Sequence, residues 1–176
     1  MVSTGTPQSE ALKMLEAFTS VGADRFDVTF TSLREEKTDF FKNRTAHSMR
    51  CNLPAWVKRA GTLKPITFPP TRDKSEETLI AGENLILLPP YTPPAVVLVQ
   101  LDDLEHDQLE RVRPVTLLTP QTSPGNYQAW VAVKDGDRKF TSRFKRKVGA
   151  DLSASGSVRM AGTANYKRKY RADFRP

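Results

Sequence analysis

The run VVLVQLDD, residues 96–103, constrains the fold of this chain more than any other segment. Val96, Val97, Leu98, Val99 and Leu101 are too uniformly apolar for a strand with one wet face, and the run is too short for a core helix. It predicts a central strand buried on both faces that ends in an adjacent acidic pair, Asp102 and Asp103. Carboxylates held at a strand end suit magnesium or manganese, which require hard oxygen ligands, and such a pair can serve two-metal phosphoryl transfer. The same two residues equally suit the cap of the helix predicted over LEHDQLERV.

The flanking segments alternate between helix and strand signals. Ser9 can cap a helix in which Ala11, Met14, Leu15 and Phe18 recur at helical spacing, with Gly22 to close it. RFDVTFTSL places Phe26, Val28 and Phe30 on one side, the period of a half-buried edge strand. A short helix is predicted from about His47 to Ala60 despite Pro54, and residues 61–80, KPITFPPTRDKSEE included, read as a loop insertion rich in Pro and charge. NLILL, VTLLTP and YQAWVAV are further strand candidates. Pro124 and Gly125 suit the centre of a type II turn that brings Ser123, Asn126 and Gln128 together. RKFTSRFKRKV predicts a helix with Phe140, Phe144 and Val148 facing inward and its cations outward. The whole is one domain over 1–176, with residues 1–8 and 171–176 as flexible ends.

Charge narrows the function. Twenty-seven Lys and Arg stand against twenty Asp and Glu, a formal net charge of +7 that favours polyanions. The cations crowd Arg138 to Arg175, whereas Asp102 to Glu110 is mostly acidic. Cys51 is the single cysteine, which excludes an internal disulfide and a thiolate-rich zinc site and reads as a small packing residue. His47 and His106 are far apart in sequence, form no paired metal motif, and read as solvated surface residues. No apolar stretch approaches the roughly 20 residues of a membrane span, and the start MVSTGTPQSE has no export signal, so a cytoplasmic setting without membrane contact is expected.

Two further constellations carry chemistry. SPGNYQAWVAV sets Gln128 and Trp130 on one strand face; Trp130 is either a core residue or, with Tyr127, an aromatic wall for a base. GADLSASGSVRMAGTANYKRKY follows Asp151 with small residues that let a backbone approach a ligand, then Arg159, Asn165 and Lys167.

Taken in order, QLDD, TSPGNYQAWVAV and GADLSASGSVRMAGTANYKRKY resemble the RepB-type DNA primase domain of the archaeo-eukaryotic primase superfamily. AFTSVGADRFDVTF is similar to its amino end, and the likeness runs from about Phe18 to Phe174. The resemblance implies an α+β fold, an RRM-like catalytic sheet with an N-terminal αβ module packed against it. It implies Asp102, Asp103 and Asp151 as catalytic metal ligands for Mg2+ or Mn2+. Ser123, Asn126, Gln128, Arg159, Asn165 and Lys167 would then contact nucleotide or DNA. The expected partners are a single-stranded DNA template and nucleoside triphosphates, with a replicative helicase or relaxase as a further candidate. Three positions depart from the family pattern. Gln100 stands where a carboxylate two residues before Asp102 is common, Gln128 replaces a histidine, and LPPYTPP with the 61–80 insertion is unlike the family. The alternative function is therefore a catalytically degenerate module that binds single-stranded nucleic acid, separated from the enzyme by how many carboxylates converge on one point.

Overall fold

In a computed structural model, which describes residues 5–90, 96–123 and 125–167, the elements follow in the order α1 (Pro7–Ser20), β1 (Arg25–Thr31), β2 (Lys37–Thr45), α2 (Ala46–Ala60), β3 (Lys64–Phe68), β4 (Glu77–Ala81), β5 (Asn84–Leu88), β6 (Val96–Leu104), α3 (His106–Val112), β7 (Gln121–Ser123), β8 (Asn126–Lys134), α4 (Arg138–Val148) and β9 (Val158–Arg159). The expected flexible end 171–176 lies outside the described residues. At the other end Pro7 and Gln8 already belong to α1. Its cap is Thr6, not Ser9: the Thr6 hydroxyl accepts from the Ser9 N–H at 3.2 Å, and Pro7, which has no N–H to satisfy, opens the helix.

The first sheet has the order β2-β1-β5-β9, antiparallel throughout. β1 is therefore an interior strand and not the edge its alternation suggested. The edge is β2, in which no residue is buried, so no apolar period marks it in the sequence. α1 and α2 cover this sheet. Pro54 gives up one helical hydrogen bond inside α2, yet Leu53, Trp56, Val57 and Ala60 are buried and hold it in place. Cys51 is exposed rather than packed, as are both histidines. The predicted 61–80 loop is instead a β3–β4 hairpin, with Ile66 opposite Leu79. A two-stranded ribbon has free edges that tolerate Pro65, and its apolar side covers a satellite cluster of Leu33, Ala81, Ala164 and Tyr166.

The second sheet has the order β6-β8-β7, and β6-α3-β7-β8-α4 gives the β–α–β–β–α succession of an RRM-like sheet. β6 is buried on both faces as its composition requires, but it is an edge strand and not a central one. Val97, Val99 and Leu101 pack with α3 and α4, and Leu98 joins the core beneath α1. The loop after α4 is tied to a side chain of β6: Gln100 Nε2 donates to the Ser157 carbonyl at 2.6 Å, and the Gly156 N–H donates to Gln100 Oε1 at 2.7 Å. Apolar composition thus recorded two covered faces and not a place in the strand order. VTLLTP is not a strand. It begins in a 3-10 turn over Arg113–Val115 and meets β8 at the isolated bridge of Leu118 with Trp130 and where the Gln128 N–H donates to the Pro120 carbonyl at 2.9 Å. Trp130, 2% exposed, packs edge-on against Phe18 at 5.1 Å and ties the second sheet into the hydrophobic core of the first.

One ion-pair network fastens α2 to the first sheet. Arg59 bonds Glu83 at 2.7 Å and Asp39 at 2.8 Å, and its guanidinium lies 4.0 Å over the Phe30 ring. The Arg59 hydrogen bond holds the Glu83 carboxyl below its ordinary pKa, with Thr38 adding a second bond. A folded-state pKa below the unfolded one gives stability that is complete above the ordinary carboxylate range and is lost as pH falls through the depressed value. Glu83→Gln is therefore expected to cost on the order of 1 kcal/mol at neutral pH, after allowing for solvent screening. Thermal unfolding of both proteins from pH 7 downward checks this: the gap in melting temperature should close in acid, and a gap that persists there contradicts the assignment.

Candidate functional site

The acidic pair owes its position to a β-bulge. β6 pairs regularly with β8 from Val96↔Lys134 to Leu101↔Ala129 and resumes at Leu104↔Tyr127, so Asp102 and Asp103 fall in the irregular stretch. Asp103 takes a left-handed backbone, φ 53°, which Asp tolerates better than most residues, and its N–H donates to Asp102 Oδ1 at 2.9 Å. The two side chains differ as a result: Asp102 is half-buried and Asp103 exposed. Neither caps α3. That helix starts at Glu105, whose N–H donates to Gln108 Oε1 at 2.8 Å, so the capping alternative for the acidic pair is removed.

Asp151 arrives from the other side. α4 closes at Gly149 in a left-handed conformation, φ 82°, and Gln108 Nε2 donates to the carbonyls of Val148 at 3.3 Å and Gly149 at 3.2 Å. The chain then turns so that the Asp151 N–H donates to the Asp102 carbonyl at 3.1 Å. The Asp151 carboxylate is held in place by the Ser153 N–H and hydroxyl, both at 2.8 Å.

The two acids titrate in opposite directions. Burial raises the Asp102 carboxyl pKa, and the neighbouring charges of Asp103 and Asp151 add to the rise, against hydrogen bonds from the Asp103 N–H and the Gln128 side chain. The Ser153 bonds, aided by the charge of Lys145, lower that of Asp151. Lys145 is itself pushed down by burial and partly restored by Asp151 and Asp102. These three side chains form one electrostatic unit. Among the described residues no group of three or more His, Cys, Asp or Glu side chains has the arrangement of a metal cage.

Lys145 also lines a cleft of about 440 Å³ between the two sheets. Arg25, Asp27 and Asn43 face it from the first sheet, Gln100 and Trp130 from the second, and Thr141 from α4. The predicted phase of α4 is corrected here. Thr141, Lys145 and Val148 are its buried residues, Phe144 is half-buried and Phe140 is exposed. A lysine buried beside two carboxylates violates the rule that cations face outward, and the sequence reading missed it for that reason. Helical spacing from Thr141 to Val148 was the available signal.

The other expected site residues divide into two groups. Ser123 and Gln128 are buried beside the acidic bulge, and Asn126 Nδ2 donates to Ser123 Oγ at 3.0 Å. Gly125, φ 77°, has the conformation a type II turn requires, while Pro124 lies outside the described residues. Gln128 turns its amide to Asp102 and leaves its Oε1 buried without a protein partner. None of the predicted site residues, the three acids included, lines the cleft itself. Arg159 bonds Asn84, at the opposite end of β5 from the cleft-lining Leu88. Asn165 is buried, donates to the Thr122 carbonyl at 2.8 Å and accepts from the Lys167 N–H, so it fastens the last described segment to β7. The Lys167 side chain is exposed. Trp130 is core, not an exposed stacking platform.

Among known proteins, no family model and no curated sequence matches this chain. Two solved structures share its fold. Primase RepB′ aligns over 92% of this chain with a TM-score of 0.66 at 22% identity. The catalytic domain of primase RepB′ in complex with initiator DNA aligns over 92% with a TM-score of 0.61 at 21% identity. This chain spans 51% of the first and 81% of the second. The fold expected from the resemblance, α+β and of the RepB-type primase kind, is thus the fold observed.

Proposed function

We propose that this chain is a primase-type nucleotidyltransferase that joins nucleoside triphosphates on a single-stranded DNA template with Mg2+ or Mn2+. The observation that carries the reading is the direct bond between the bulge bearing Asp102 and the turn bearing Asp151, set beside Lys145 at a cleft between two sheets. The donor set is all carboxylate oxygen, which fits either ion, and magnesium is commonly held by one or two carboxylates completed by substrate phosphates. Asp102 and Asp151, with exposed Asp103 in reach of the solvent side, would hold it. When bound, the ion neutralises charge at the reacting α-phosphate.

The chain's own residues position the reactants. Gln128, with no titratable group, fixes the Asp102 carboxylate by donating to it and keeps an acceptor oxygen free for a ligand donor. Lys145 and Arg25 offer cations to the triphosphate from opposite sides of the cleft. Gln100 is not a lost metal ligand replaced by nothing; it holds the 156–157 turn that closes over β6.

One observation favours a second reading, a nucleic-acid-binding module without activity: the described acids do not form a cage of three. A primer-synthesis assay on single-stranded DNA with labelled nucleotides separates the two. Manganese-dependent, chelator-sensitive product is expected. Oligonucleotide binding with no product under either metal would overturn the enzyme reading and leave the module.

A further inference from the structure

On the face of α3 and α4 away from the cleft lies a groove of about 700 Å³ whose chemistry the proposed reaction does not use. Its floor is Val112, Val148 and the rings of Phe140 and Phe144, stacked 5.7 Å apart at 28°. Its rim is Arg111, Arg143 and Lys147, all exposed. Among the described residues none of these three cations forms a salt bridge, and Glu110, the acid next to Arg111, is tied to Arg113. Arg111 donates to the Val148 carbonyl at 3.5 Å, and an aromatic pair with one exposed ring, rimmed by cations without acidic partners, marks a surface for an anionic ligand with flat apolar parts.

We propose that this groove binds single-stranded DNA, the template flank of the site assigned above, on which reading this inference rests. Phe140, the exposed ring of the pair, leaves aromatic surface on which a base can stack. Arg143 and Lys147 stand four residues apart, about 6 Å along α4, a spacing that consecutive phosphates of an extended strand can meet. An acidic amphipathic helix fits less well, because such a ligand seats apolar anchors at i, i+3, i+4 and i+7, and this floor is only two rings and two valines long. Val148, at the end of the floor, is three residues from Asp151, so a strand lying in the groove is led to the edge of the acidic site.

Fluorescence anisotropy with a labelled oligo-dT of fifteen nucleotides, over a range of salt, tests this on the full chain. Phe140→Ala should weaken binding about five- to a hundredfold while leaving the salt slope unchanged, since it removes a stacking face and no charge. Phe140→Trp should restore it. Lys147→Ala should reduce the slope by about 0.7, one phosphate contact. Unchanged affinity in Phe140→Ala overturns the proposal, as does Phe140-dependent binding of polyglutamate in place of oligo-dT. Primer synthesis is scored in parallel. Phe140-dependent binding without synthesis defeats the cleft reading and supports the groove; synthesis with Phe140-independent binding does the reverse.

Discussion

Asp102→Ala is expected to reduce primer synthesis by on the order of a thousandfold or more while oligonucleotide binding stays equal or tightens slightly. A metal ligand supplies several kcal/mol of charge stabilisation at the reacting phosphate, and each ~1.4 kcal/mol is a factor of ten in rate. Binding is spared because the substitution removes a negative charge near the path of a polyanion. Stability should not confuse the result. Burial raises the Asp102 carboxyl pKa, which means that its ionised form costs folding free energy at neutral pH, and the cap of α3 belongs to Glu105. Thermal unfolding of the variant establishes that the protein assayed is folded. A folded Asp102→Ala protein that makes primer at the wild-type rate would remove this site from the chemistry.

Trp130→Ala should be the most damaging single truncation to the fold, about 3–5 kcal/mol, which is a large part of the 5–15 kcal/mol that a domain possesses. The indole is buried against Phe18, and its loss opens a void where the cores of the two sheets meet. For a chain of this size the melting temperature should fall by roughly 6–20 °C. Trp130 Nε1 is buried with no protein partner, so Trp130→Phe removes no protein hydrogen bond and should cost less than half as much. Urea unfolding of the three proteins checks the order. Weakened oligonucleotide binding with unchanged stability would instead return Trp130 to the role of a base-side wall.

What could be read in the sequence was whatever had a local physical cause. Phe26, Val28 and Phe30 reported a strand because water and core alternate across it, and Ala11, Met14, Leu15 and Phe18 reported a helix for the corresponding reason. β2 gave no such signal: no residue of KTDFFKNRT is buried, and Phe41 alone packs on the core from it. The β3–β4 hairpin was hidden by prolines that only a free-edged ribbon admits. The site was legible as far as single residues go, with Asp102, Asp151 and Gln128 found together as the family likeness implied. Lys145 was not, because a buried cation is favourable only once two distant carboxylates are folded beside it. The partners of Arg159 and Asn165 were hidden for a related reason. Their polar groups satisfy Asn84 and Thr122, partners far away in sequence that no local pattern announces.

The last described stretch of chain is joined to much earlier ones: Gln100 to Ser157 across 57 positions, Asn84 to Arg159 across 75 and to Tyr166 across 82. Contacts of such long range form late, after loop-closure entropy has been overcome, and they slow folding. On the ribosome the consequence is an order of events. A nascent chain that ends at Val148 has β1, β2 and β5 without β9, and it has Asp102 without Asp151. The cleft, one wall of which is Ala154, Ser155 and Gly156, therefore comes into being only after the segment that follows α4 has emerged and settled against the sheets.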